Sequence, residues 1–386
     1  MKIESEVLKW LYKHRFQKKP IAFIDGKPIS FKEFLNDVYN GIVYIEKNNL
    51  QNKLIGIPTA YNLGYQNMIY FFIFSIVCKK FVDIHFPNSK EEKVIQEYIE
   101  EIKKKGIEIL LDRNSYSNKF KYDYIPEFFF KTLQPLKKIN EIFKFLKQFS
   151  NNFALWGLRS GGTTGSFHIT YHNLQELYIK VIQPLLKQKK ENRCFLEKKY
   201  CLCLRDFFQA EFFIFKNKCS FHFFTNIDET IKDKEFLETY INKYKINSIS
   251  STPFITQNLD ITNFKNTTFF SYRGVNQEFK EYMKKIIFND RKNTFVEYFA
   301  STECTYFFFN IVERNNFEHL GEFNYFPYGK PKLSKEGTFQ WTYYNPDNND
   351  TEVDFFKELS NGNFKYLGRK KPIMENNFSL KRVNEN

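Results

Sequence analysis

Paired cysteines are missing from this sequence. Cys78, Cys194, Cys201, Cys203, Cys219 and Cys304 show no C-x-x-C spacing and no matching histidine pair, which argues against a zinc site. Equally absent are the Gly-Lys-Ser/Thr ending of a Walker loop, the spacing of a Rossmann glycine fingerprint and the Gly-x-Ser-x-Gly elbow of a serine hydrolase. The longest apolar stretch, Met68 to Cys78, is too short to span a bilayer and reads as a buried helix. Met1-Lys2-Ile3-Glu4-Ser5-Glu6 lacks the apolar run of a signal peptide. No compact Lys/Arg block resembles a nucleic-acid arm, and the 47 phenylalanines are spread along the chain. Neither nucleic acid nor a membrane is therefore expected as a partner, and no internal repeat is evident.

What is present is charge of one sign and aromatic residues. With 58 Lys and Arg against 44 Asp and Glu, the 386 residues carry a formal net charge of +14, which attracts phosphates or acidic proteins. Lys, Asn, Ile, Phe and Tyr are inflated together, the mark of an AT-rich genome. A chain of this length can bury a large core in one big domain or two to three subdomains. Cys201 and Cys203 alternate in Tyr200 to Leu204, where period two puts both on one face of a strand. They read as core thiols in a reducing cytoplasm.

Residues 21–31 read as strand, Asp-Gly turn and strand, with Ser30 and Glu33 forming a capping box for the next helix. A buried strand at Leu54 to Pro58, a helix around 64–78, a strand at Phe81 to Pro87 and a helix at Glu91 to Lys105 argue for a parallel α/β sheet. Residues 112–150 have no clean period. Further on, Lys243 to Ser251 and Thr268 to Tyr272 read as strands, the latter ending at Arg273-Gly274, and after Gly321 the pattern changes to short strands and turns. Ends of parallel strands are where such sheets gather ligands.

One run stands out: Arg159-Ser160-Gly161-Gly162-Thr163-Thr164-Gly165-Ser166-Phe167-His168. Glycines let a backbone approach a ligand, while successive N–H groups and hydroxyls donate to an anion, so the run suits phosphate. The same composition also makes ordinary surface turns.

The run resembles the phosphate-binding loop of the adenylate-forming superfamily, which includes acyl-CoA synthetases and the adenylation domains of peptide synthetases. Tyr171-His172-Asn173-Leu174 is similar to the family's helix-entering segment, and Glu297 to Glu303 is similar to its Asn-x-Tyr-Gly-x-Thr-Glu motif. Asp354 stands eight residues before Gly362, which stands six before Gly368-Arg369, a spacing that resembles the close of the family's large domain. The resemblance implies an α/β fold of two α/β subdomains with mixed and parallel sheets. Residues 1–369 would be the large domain, with a β-rich subdomain near 321–369, residues 370–386 a hinge remnant and tail, and the mobile C-terminal lid missing. It implies ATP and Mg²⁺ as cofactors. Ser160, Gly161, Gly162, Thr163, Thr164 and Gly165 would hold the β- and γ-phosphates, Thr302 would donate to the α-phosphate and Glu303 would coordinate Mg²⁺. Phe299 would lie on the adenine face, Gly274 would line the adenine pocket, and Asp354 would accept from the ribose hydroxyls with Arg369 nearby.

The acid to be activated is open between two alignments. Asp206-Phe207-Phe208-Gln209 places either Gln209 at the acyl-pocket histidine of fatty-acyl and aryl enzymes or Asp206 where amino-acid adenylation domains bind the substrate ammonium. Two departures bear on catalysis: His168 occupies the position of the loop's lysine, and Lys371 sits at the hinge position with only residues to Asn386 after it. The resemblance implies that an acyl- or aminoacyl-adenylate is made and passed to a carrier-protein thiol or coenzyme A, with a lid supplied by a separate chain. The competing expectation is a non-catalytic nucleotide-binding or scaffold protein that keeps the fold.

Overall fold

Alternating apolar strands and amphipathic helices produce layered α/β structure in the computed structural model, which describes residues 5–58, 64–84, 92–112, 116–131, 136–159, 169–177, 200–204, 220–251, 256–257, 265, 267–272, 277–301, 305–324, 333, 338–339 and 354–369. The chain forms two units, one of Met1–Ile179 with Asp206–Thr225, the other of Lys180–Arg205 with Asn226–Asn386.

In the first unit, α1 (Glu6–His14) precedes a hairpin of β1 (Ala22–Ile24) and β2 (Lys27–Ile29). Its turn residues Asp25 and Gly26 both have positive φ, 48° and 80°, the conformation that matches the twist of a two-residue hairpin. Helix α2 (Phe31–Lys47) begins with the expected capping box: Ser30 Oγ accepts from Glu33 N–H at 3.2 Å and Glu33 accepts from Ser30 N–H at 2.7 Å. The main sheet then builds from β3 (Ile55–Pro58), β4 (Lys80–Ile84), β5 (Ile109–Asp112), β6 (Tyr124–Pro126), β7 (Leu155–Arg159) and β8 (Ile169–Asn173) in the order β6-β5-β3-β4-β7-β8. Its pairs are parallel except β7 with β8.

Both faces of a parallel sheet must be covered. On one lies α3 (Gly64–Val77), buried along its length, with Phe71 and Phe74 against Phe81 of β4 and Phe72 against Phe34 of α2 and Trp10 of α1. On the other, Tyr98 and Ile102 of α4 (Glu92–Lys104) pack with Val82, Ile84, Ile107 and Leu110. Residues 112–150, unreadable as a pattern, contain β6 and the short helix α5 (Ile139–Leu146), whose N-cap Lys138 makes no side-chain capping bond. Strand β1 also pairs in parallel with β10 (Ser220–Phe223).

In the second unit β9 (Tyr200–Cys203), β11 (Ser248–Ser250), β12 (Thr268–Tyr272) and β13 (Thr294–Ser301) are parallel neighbours in that order, and β14 (Thr305–Val312) closes antiparallel on β13. The buried Cys201 and Cys203 sulfurs lie 3.9 Å apart, on one face as the alternation requires. The strand expected from Lys243 is shorter. Helix α8 (Lys234–Tyr244), which follows α7 (Ile227–Lys232), runs through Lys243 and ends at Lys245 with φ 53°, so the strand starts only at Ser248. Helix α9 (Gln277–Asn289) connects β12 to β13 and sets Phe279 edge-on to Phe295 at 5.6 Å. The β-rich segment expected after Gly321 is a four-stranded antiparallel sheet of β15 (Glu322–Phe323), β18 (Phe364–Arg369), β17 (Asp354–Glu358) and β16 (Thr338–Phe339).

Gly157 of β7 lies two residues before the serine- and glycine-rich run and has no room for a side chain. A Cβ there would stand 2.8 Å from Val82 Cγ2, 2.9 Å from Ile169 Cγ2 and 3.1 Å from Tyr171 Cε1. The first two atoms belong to stiff β-branched side chains. Gly157→Ala is expected to destabilise the chain by roughly 1–3 kcal/mol through overpacking, read from denaturant or thermal unfolding.

Candidate active site

Strand β7 enters the glycine-rich run and β8 leaves it. Their antiparallel register closes with Arg159 opposite Ile169, so the two ends of the 160–168 connection are held at strand spacing. Ser160, Gly161, Gly162, Thr163, Thr164, Gly165 and His168 lie outside the described residues. The stem around them is firm. Asp83 of β4, buried, accepts from Trp156 Nε1 at 2.9 Å; the Arg159 guanidinium lies over the Tyr98 ring at 4.6 Å; and Lys80 reaches over Tyr171 at 5.4 Å. The segment after β8 enters a helix as expected: Asn173 Oδ1 accepts from Gln175 N–H at 2.9 Å and Glu176 N–H at 3.2 Å at the start of α6 (Leu174–Leu177). His172 is half-buried, 6.2 Å from the Trp156 ring.

In the second unit the carboxyl ends of β9, β12 and β13 lie at one edge because these strands run parallel. Asp206 and Gln209 follow β9 in sequence, Gly274 follows β12, and Thr302 and Glu303 follow β13; all five are outside the described residues. A register shift between Phe299 and Ala300 bulges the β13–β14 ladder just before that end, the device that re-aims a strand terminus. Asp354 and Arg369, fifteen positions apart in sequence, are register partners at the open end of the β17–β18 hairpin.

Phe299 is fully buried, its ring 5.0 Å from Tyr366, 5.1 Å from Phe356 and 6.3 Å from Phe323. In this arrangement the ring ties β13 to the small sheet.

The sequence reading assigned no role to Glu297, and it is the most perturbed carboxyl of the region. Period two places it on the face of Phe295 and Phe299, and it is 2% exposed. Burial pushes its pKa up to about 7, against the pull of the Gly321 N–H, which donates to Oε2 at 2.8 Å, of the Lys280 ammonium and of the Asn310 amide. The signal was available: a Glu inside an alternating aromatic strand is a buried carboxyl. The sign of its linkage follows. Below the ordinary carboxylate range, 4.5, both folded and unfolded forms are protonated; between there and about 7 only the unfolded form releases the proton, so stability falls as pH rises. Glu297→Gln is expected to melt with wild-type stability at pH 4 and to exceed it by up to about 3 kcal/mol at pH 8, measured as paired thermal melts across that range.

No protein-family profile matches the sequence, and no curated protein matches it. Solved structures do. The chain is similar to the o-succinylbenzoate CoA synthetase MenE of Bacillus subtilis in complex with its acyl-adenylate intermediate, with a TM-score of 0.64 and 12% identity over 94% of this chain and 78% of that one. It is similar to the luciferase-like enzyme of the nonluminescent mealworm Zophobas morio, with a TM-score of 0.62 and 12% identity over 95% of each chain. It is also similar to AB3403, a four-domain nonribosomal peptide synthetase bound to AMP and glycine, with a TM-score of 0.66 and 9% identity over 95% of this chain and 29% of that one. The fold is that of adenylate-forming enzymes.

Proposed function

We propose that this chain activates a carboxylic acid with ATP and Mg²⁺, making an acyl-adenylate for transfer to a thiol. The observation that carries the reading is the conjunction of that fold with the order of the motifs upon it: Gly274 and Thr302-Glu303 follow parallel neighbours β12 and β13, and Asp354 pairs with Arg369. The donor set fits the ligand. Small hydroxyl and glycine residues suit phosphate oxygens, Glu303 offers the hard oxygen that Mg²⁺ prefers, and Asp354 offers an acceptor to a ribose diol. ATP supplies the phosphorus that the carboxylate attacks and pyrophosphate as leaving group. The chain positions the two and meets the growing charge with preorganised donors, among them Thr302 and the 160–165 amides. A mostly neutral His168 in place of a lysine meets it less strongly.

For the acid, the amino-acid alignment has Asp206 binding a substrate ammonium, since a desolvated carboxylate needs a cation beside it. The likeness to a synthetase bound to AMP and glycine supports this choice. The acceptor would be the thiol of a carrier protein or coenzyme A, both acidic partners for a chain of net charge +14. The covered Phe299 ring and His168 favour the second reading, a nucleotide-binding protein without catalysis.

Calorimetric titration with ATP·Mg²⁺ is expected to show binding by wild type and affinities weaker by about ten- to a hundredfold for Glu303→Ala and Asp354→Ala, the loss of one charged hydrogen-bond partner each. Equal affinities in the three proteins would remove the nucleotide site. Pyrophosphate release is expected with free amino acids and not with matched fatty or aryl acids, and Asp206→Ala is expected to lose that preference. A response to fatty acids alone would transfer the pocket to Gln209, and binding without pyrophosphate release from any acid would establish the non-catalytic reading.

A further inference from the structure

Glu297 sits where two pieces of the second unit meet. It lies on β13, opposite Asn310 of β14 in the antiparallel register. It accepts from the N–H of Gly321, whose φ of 90° turns the chain from the 3₁₀ segment Arg314–His319 into β15. Asn310 Nδ2 donates to the His319 carbonyl at 2.7 Å, fixing the same turn from β14. One residue further, the Glu322 carboxylate is 2.9 Å from the His319 ring and accepts from Asn361 at 3.2 Å and Asn363 at 3.1 Å, the residues flanking Gly362 in the β17–β18 turn. A continuous polar connection thus runs from β13 through the Gly321 turn to the hairpin whose far end pairs Asp354 with Arg369.

The site is dry. The Gly321 N–H donates to Glu297 Oε2 and the Asn310 amide to the His319 carbonyl, and Glu297 is 2% exposed. An ionised carboxyl is costly in so buried a place. The charged and titratable groups on the packed elements are Lys280 of α9, whose ammonium attracts the ionised form, and Glu318, His319 and Glu322 of the turn. His319 is engaged with the two carboxylates of the turn.

We infer that Glu297 is a positioning residue: its carboxyl ties the middle of β13, the strand that Thr302 and Glu303 follow in sequence, to the Gly321 turn that leads into the small sheet bearing Asp354 and Arg369. The inference rests on the proposed nucleotide site for its functional consequence, and on the hydrogen bonds alone for its structural one. Ionising Glu297 in this dry surrounding loosens the tie, so protonation couples to the order of the small sheet.

Amide hydrogen exchange over residues 354–369 and ATP·Mg²⁺ calorimetry, run on wild type, Glu297→Gln and Glu297→Ala, test both consequences. Between pH 5 and 7, exchange in this segment of wild type is expected to accelerate relative to Glu297→Gln by on the order of tenfold per pH unit, the slope of one proton, and the ratio to level above 7. At pH 5, where wild-type Glu297 is protonated, Glu297→Ala is expected to exchange faster there than wild type, on the order of ten- to a hundredfold, and to bind ATP·Mg²⁺ correspondingly more weakly, with Glu297→Gln restoring both. A wild-type to Glu297→Gln ratio that does not vary with pH, or a folded Glu297→Ala with wild-type exchange over 354–369 at pH 5, overturns the positioning role. Should Glu297→Ala fail to fold, the first comparison decides alone. The expected exchange with no ATP binding by any form, wild type included, overturns the nucleotide reading and leaves the structural tie in place.

Discussion

Parallel pairing of β12 with β13 is the constraint on which the candidate site depends. A parallel ladder forces successive strands to end at the same edge, and the crossover helix α9 is what allows it. Chain segments that are distant in sequence then leave the sheet side by side, which is how a catalytic set is assembled without long-range contacts of its own. Aromatic rings keep one face of the ladder dry: Phe279 against Phe295, Phe299 among Phe323, Phe356 and Tyr366. A carboxyl buried in such a face is tolerated because backbone and amide donors surround it, as at Glu297.

Elements with one dominant local cause were legible in the sequence. The Ser30–Glu33 box, the Asp25-Gly26 turn, the apolar run of α3 and the alternation of Cys201 and Cys203 each act within a few residues, and each forms as read. The misreadings come from tertiary causes. Lys243 has strand-like neighbours, yet a left-handed Lys245 ends a helix there. Helix α5 has no capping side chain, and its Ile142, Phe143 and Leu146 are held by packing that its own sequence does not announce. At the site, Arg369 near Asp354 was implied by a family resemblance and not by any local pattern, and a hairpin brings the two positions into register. Glu297 was passed over because a motif comparison looks at the residues that match, and its meaning lies in being a carboxyl on an aromatic face.

The hairpin of β1 and β2 has a consequence for the birth of the chain. Strand β1 finds its parallel partner at Phe221 to Phe223, and the Asp25 carboxylate accepts from the Thr225 N–H at 3.0 Å and from its hydroxyl at 2.8 Å, across a sequence separation of 200 residues. At about 5–20 residues per second a ribosome needs about 10–40 seconds to cover that distance. The strands β3 to β8, all complete by Asn173, have their partners while β1 still waits as one arm of a two-stranded hairpin, which is marginal by itself in water. During translation β1 therefore waits longer for its parallel partner than β3 to β8 wait for theirs.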